Sequence, residues 1–199
     1  MDLFRENPCQ LLPYDGSAML HFDVWESADS VRLQSQLRDE IRWEQVRVNV
    51  FNRMVDQPRL TAWYGDEGKT YSYSGTFLTP IPWTETLANM RETVARVSGS
   101  MFNSVLANLY RDGNDGVGWH ADNERELGTN PVIASVSLGA TRRFDLKHRD
   151  TGELVRVDLP AGSLLVMSGE TQHKWVHRIA KTKKMCGERI NLTFREIHV

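Results

Sequence analysis

His120-Ala121-Asp122 sets two ligands for a first-row transition metal two residues apart, and His177 follows 55 residues after the aspartate. An extended backbone repeats every two residues, so the His120 imidazole and the Asp122 carboxylate fall on one side. Two histidines and one carboxylate hold Fe(II) while leaving coordination positions open for oxygen and a cosubstrate. His173 competes with His177 as third ligand. Parity on a strand over 175–178 does not separate them, although His173 adjoins Gly169 and Glu170 in a loop and His177 lies deeper. An anionic cosubstrate needs cations nearby, and Arg189-Ile190-Asn191-Leu192-Thr193-Phe194-Arg195 supplies two. Period two puts Ile, Leu and Phe on one face of this strand and Arg, Asn, Thr and Arg on the other. Asn108 and Tyr110 form a further i, i+2 polar pair before the His-x-Asp segment. A hydroxyl, amides and two guanidiniums together hold the two carboxylates of a small diacid. An isolated His-x-Asp pair is more often a satisfied polar turn, and a lone amphipathic strand usually turns its polar face to water. Their occurrence together, in this order, is what favours a metal site. His21, His148 and His198 have no such company and read as surface or structural residues.

The elements that must carry these residues are legible in outline. The first 25 residues look irregular, punctuated by Pro13, Asp15 and Gly16. A helix follows, capped by Ser27 or Asp29, with Leu33, Leu37 and Ile41 on one face. Short strands are expected over 46–51, 62–64 and 70–74, with a turn over 65–68. A second helix starts at Pro82, turns Leu87, Met90, Val94 and Val97 inward and ends at Gly99. Strands are then expected over 103–110, 117–122, 132–138, 143–147, 154–159, 163–167, 175–178 and 189–196, separated by turn residues. About eight strands at this spacing predict a jelly roll or barrel, mainly β with two helices packed outside.

At 199 residues the chain fits one domain with a core of its own. Cys9 and Cys186 form no paired framework, no signal peptide or membrane span is apparent, and a soluble, cytoplasmic monomer is expected. The net charge of −2 argues against a generic nucleic-acid coat, but it is unevenly distributed. Residues 1–40 hold 3 basic and 8 acidic side chains, whereas residues 141–199 hold 12 basic and 7 acidic. Arg142, Arg143, Lys147 and Arg149, and again Arg178, Lys181, Lys183 and Lys184, could face phosphates, though such runs are usually solvated surface.

Asn108-Leu109-Tyr110, His120-Ala121-Asp122, Trp175-Val176-His177 and the 189–195 strand resemble, in order and spacing, the AlkB family of Fe(II)/2-oxoglutarate dioxygenases. The resemblance runs over nearly the whole chain from the first helix onward. It implies a double-stranded β-helix (jelly roll) core over 100–199 and an N-terminal extension over 1–99 that includes a nucleotide-recognition lid, within one domain. It implies iron on His120, Asp122 and His177. It also implies that Arg195 and Tyr110 hold the distal carboxylate of 2-oxoglutarate, that Arg189 and Asn108 lie by its metal-bound end, and that Asn191 supports them.

Within the family the chain is most similar to the subgroup that repairs double-stranded DNA, through Pro58-Arg59, Trp63-Tyr64-Gly65-Asp66, Thr70 to Gly75 and Asp122 to Leu127. The likeness implies that Tyr73 stacks on a flipped base opposite His120, that Tyr71 lines the pocket, and that Glu124 meets an exocyclic amine. Arg59 joins these as a substrate contact. Phe51 falls where the subgroup has an apolar wedge for the gap left in the duplex, with a buried core aromatic as the alternative. Two departures stand out: Asn123 replaces a second acid, and Asn52 replaces the usual glycine. The implied reaction is removal of N-methyl groups from bases such as 1-methyladenine and 3-methylcytosine, with release of formaldehyde. Methylated RNA or a protein side chain is the alternative substrate, and a non-catalytic nucleic-acid binder the rival class.

Overall fold

Alternating polarity from Ser104 onward becomes eight antiparallel strands in two facing sheets. The computed structural model describes residues 6–50, 53–69, 71–73 and 76–198. Strands β1 (Cys9–Gln10) and β2 (Ser17–His21) precede helix α1 (Ser27–Glu40). The hairpin β3 (Arg47–Val50) and β4 (Arg53–Asp56), strand β5 (Leu60–Gly65), the hairpin β6 (Tyr71–Tyr73) and β7 (Thr76–Leu78) and helix α2 (Glu85–Ser98) complete the first half. Then come β8 (Ser104–Tyr110), β9 (Val117–His120), β10 (Ile133–Gly139), β11 (Arg142–His148), β12 (Leu154–Leu159) and β13 (Ser163–Ser168). The one-turn helix α3 (Thr171–Lys174) leads into β14 (Trp175–Ile179), and β15 (Arg189–Arg195) closes the fold.

The larger sheet runs β1-β2-β13-β10-β15-β8-β5 and the smaller one β12-β11-β14-β9. The eight strands from β8 to β15 contribute four to each sheet, as in a jelly roll. The first half of the chain extends the larger sheet at both ends, β5 beside β8 and β2 beside β13. Residues 17–21 therefore form a strand rather than the irregular segment expected. Ala18 and Leu20 are fully buried between partly exposed neighbours. That alternation was present in the sequence but masked by the turn residues just before it.

Both helices lie on the outer face of the larger sheet. Leu33 and Leu37 from α1 and Leu87, Met90 and Val94 from α2 pack with Ala107, Leu109, Val136, Ile190, Leu192 and Phe194. Thr84 caps α2 by accepting the Leu87 N–H, and Gly99 ends it at φ 68°, a left-handed conformation that costs glycine little. For α1 neither expected cap acts: Glu26 holds the cap position without a side-chain bond. A second cluster, including Phe144, Leu146, Leu165, Met167, Trp175 and Ile179, fills the space between the sheets. The apolar face of β15 thus meets the helices, and its polar face looks into the space between the sheets.

Candidate active site

β9 and β14 are neighbours with His120 directly opposite His177, their ring centroids 4.3 Å apart. β9 ends at His120, so Asp122 stands just past the strand rather than on it. Its Oδ2 lies 3.7 Å from His177 Nε2. One ligand atom from each of the three residues lies within 4.8 Å of the others, a group compact enough to share one cation. His173 is in α3 and exposed, which resolves the competition in favour of His177.

The surroundings prepare these side chains to bind. His120 Nδ1 is 2.8 Å from the Gly118 carbonyl, which can only accept, so Nδ1 donates to it and Nε2 is the ring atom left for a metal. The Asp122 N–H donates to the fully buried Gln172 amide oxygen, and Arg195 Nη2 donates to Asp122 Oδ1 at 2.5 Å. Burial pushes the Asp122 carboxyl up, but Arg195 and the two imidazoles outweigh it and hold the group below the usual carboxylate range. Burial, aided by His120, takes His177 down to about 3 despite Asp122, so its ring is neutral. Phe144 stacks on it at 5.2 Å.

A cavity opens beside this group, lined in part by Asn108, Tyr110, Arg189, Asn191, Thr193 and Arg195. β15 and β8 pair in register so that Arg189 faces Tyr110 and Asn191 faces Asn108. Arg189 is 1% exposed; its Nη2 donates to Ser137 Oγ at 2.9 Å, while Nε and Nη1 have no hydrogen-bond partner among the described residues. Burial lowers its pKa to about 10, still leaving it charged at neutral pH. A buried guanidinium with two unmet donors is a strong site for a carboxylate. The residues present therefore fit both a divalent metal and a dicarboxylate beside it. The implied pairing of Arg195 with Tyr110 is overturned. Arg189 stands with Tyr110, its guanidinium carbon 5.2 Å from the ring centroid, and Arg195 stands on the metal ligand Asp122. Arg189 and Arg195 bound opposite ends of one seven-residue strand, and only the register against β8 decides which is near the metal.

A model of the 2OG-Fe(II) oxygenase superfamily matches residues 18–195, a span that contains every residue of this cavity. The chain belongs to the 2OG-Fe(II) oxygenase superfamily. This oxygenase is 41% identical over 185 residues to the mouse protein named DNA oxidative demethylase ALKBH2, covering 87% of this chain and 77% of that one. It is 40% identical over 174 residues to human alpha-ketoglutarate-dependent dioxygenase alkB homolog 3, covering 82% and 60%. The solved structure of OsALKBH1 shares the fold, with a TM-score of 0.62 at 17% identity, over 90% of this chain and 97% of that one. The protein is thus an Fe(II)/2-oxoglutarate-dependent dioxygenase, and His120, Asp122 and His177 form the group able to hold its iron.

The other residues singled out by sequence are less tightly gathered. Arg59 lines the oxygenase cavity and donates from Nε to Asn108 Oδ1 at 2.7 Å. Glu124 is not part of the cavity wall. It precedes the 3₁₀ turn Arg125–Leu127, and its buried Oε2 has no partner among the described residues. For Tyr71 and Tyr73 the backbone is described, paired with Leu78 and Thr76, and Phe51 lies outside the described residues. Sequence reasoning missed Ser135 and Ser137, which bond Asn191 and Arg189, although they alternate with Ala134, Val136 and Leu138 on β10. It also missed Arg142 as a buried residue. Rather than facing phosphates, its guanidinium donates to the carbonyls of Asp112, Asp115 and Ala180 behind Tyr110.

Proposed function

We propose that this dioxygenase removes N-methyl groups from DNA bases such as 1-methyladenine and 3-methylcytosine. The observation that carries the proposal is the buried, half-satisfied Arg189 in the same cavity as a His-Asp-His group, in a chain 41% identical to a DNA oxidative demethylase. Bound Fe(II) and 2-oxoglutarate supply the oxygen activation that hydroxylates the methyl group. The chain's own part is placement. Arg189 and Tyr110 receive the distal carboxylate, and Arg195 and Asn108 stand by the metal-bound end, with Asn191 locked between strands by Ser135 Oγ and the Val136 carbonyl. The hydroxymethyl product loses formaldehyde without a protein nucleophile, which suits a site of ligands and arginines.

The hairpins β3–β4 and β6–β7 belong to neither main sheet and are candidates for the lid. In this reading Tyr73 stacks on the extruded base, Tyr71 and Arg59 line its path, and Glu124, whose Oε2 has no partner among the described residues, favours a cationic, methylated ring. Phe51 fills the gap in a duplex. Exposed Arg53, Lys181, Lys183 and Lys184 support a polyanionic partner.

The test is mass analysis of a duplex carrying one 1-methyladenine after incubation with the enzyme, Fe(II) and 2-oxoglutarate. Loss of one methylene equivalent is expected, and His120→Ala or Asp122→Ala should abolish it. Phe51→Ala should lose the duplex activity and keep activity on single strands. Succinate release without any change in methylated DNA would sink the DNA reading and redirect the search to RNA or protein substrates.

A further inference from the structure

The pairing of β14 with β9 is irregular at one point. His177 faces His120 and Ile179 faces Val117, so Gly118 and Trp119 together oppose the single residue Arg178. This is a β-bulge, a device that redirects side chains at a sheet edge. One consequence is internal, because the Gly118 carbonyl is the group that orients the His120 ring. The other faces outward. Trp119 is 39% exposed, and the Arg178 guanidinium lies over its ring, 4.3 Å from the centroid. Arg178 is held there by the buried Asp145, whose Oδ2 accepts from Nε at 2.8 Å. A side chain added at Gly118 would meet nothing within 4 Å, so the bulge lies open to solvent. β9 is the edge strand of the smaller sheet, and Trp119 adjoins the ligand His120. From β14 the chain runs directly into exposed Lys181, Lys183 and Lys184, with Thr182 anchored by its N–H to the Gly113 carbonyl.

A fixed aromatic ledge with an arginine on it and lysines alongside combines a π-face with positive charge. Single-stranded nucleic acid is held by that combination. We infer that the Trp119–Arg178 ledge, on the outer face of the smaller sheet, is a stacking platform for an unpaired nucleotide of the strand that carries the methylated base, which lets the enzyme hold single-stranded DNA. The inference rests on the DNA reading above and specifies the form of its substrate. In a duplex the neighbouring bases are already stacked and paired, so the ledge contributes little there. None of the cavity residues is needed for this contact, and its loss affects binding rather than chemistry.

The experiment uses the protein loaded with Fe(II) and 2-oxoglutarate, with oxygen excluded. Fluorescence anisotropy reads its binding to an unmodified oligothymidylate and to an unmodified duplex of equal length. Trp119→Ala should weaken single-strand binding about tenfold, within the range of base–aromatic stacking, and leave duplex binding unchanged. Trp119→Phe should restore most of the affinity, which a purely structural role for the indole would not require. In turnover on a methylated single strand, Trp119→Ala should raise KM and spare kcat. Unchanged single-strand affinity, equal losses on both DNA forms, or no binding of oligothymidylate by the parent protein would each overturn the ledge. Absence of demethylation by the parent would instead overturn the DNA repair reading, while a selective binding loss in Trp119→Ala would still stand.

Discussion

Arg189 is the residue on which the cosubstrate assignment turns. Its side chain is buried with two donors unmet, and removing it should cost what a charge-assisted hydrogen bond contributes, about 1.5–3 kcal/mol. Arg189→Met is therefore expected to raise KM for 2-oxoglutarate at least about tenfold, read by succinate release. The geometry makes a sharper prediction with a 2-oxo acid that lacks the distal carboxylate. Arg189→Met should lose the preference for 2-oxoglutarate over that acid, whereas Arg195→Met should keep it; the reverse pattern would restore the assignment implied by family resemblance. His177 carries a prediction for the metal-stripped protein. Its pKa is about 3 when folded against an ordinary 6.5, so between those values the unfolded chain binds the proton and the folded one does not. Stability then rises with pH across that window and levels off above it. Urea midpoints should fall as pH drops from 6.5 towards 3, and His177→Gln should show a shallower fall.

At the scale of elements, β15 joins the two halves of the design. Its polar face supplies Arg189, Asn191 and Arg195, while Ile190, Leu192 and Phe194 are fully buried against the helices. Leu192→Ala should cost about 2–5 kcal/mol of stability by urea unfolding, and KM for 2-oxoglutarate should change little in the protein that remains folded. A matching rise in KM would mean that the strand's two faces are not separable. Most strands were legible because period-2 patterning survives wherever one face is apolar. β2 was hidden by the turn residues before it, and the bulge in β9 was invisible because it exists only relative to β14. Parity on a strand was also the wrong warrant for Asp122, which reaches the site from beyond the end of β9.

For the whole molecule, the site lies between two sheets, with ligands from β9, β14 and the segment after β9, and carboxylate donors from β8 and β15. A metal and a diacid that bind across this seam stabilise the folded state by mass action, about 2.7 kcal/mol at a hundred times Kd. Mn(II) with 2-oxoglutarate should raise Tm more than either alone, and Arg189→Met should remove the share due to 2-oxoglutarate. Additive shifts unaffected by the variant would separate the two sites.

The sequence by itself determined the chemistry's ingredients: a His-x-Asp pair, a later histidine, and a strand with two arginines on one face. These are local patterns, set by residue type and by backbone periods of two and 3.6. The tertiary structure alone decided which histidine completes the group, which arginine stands by the metal, and that Trp119 is turned out onto Arg178. Each depends on register between strands far apart in the chain, and register is set by packing across both sheets rather than by any single segment.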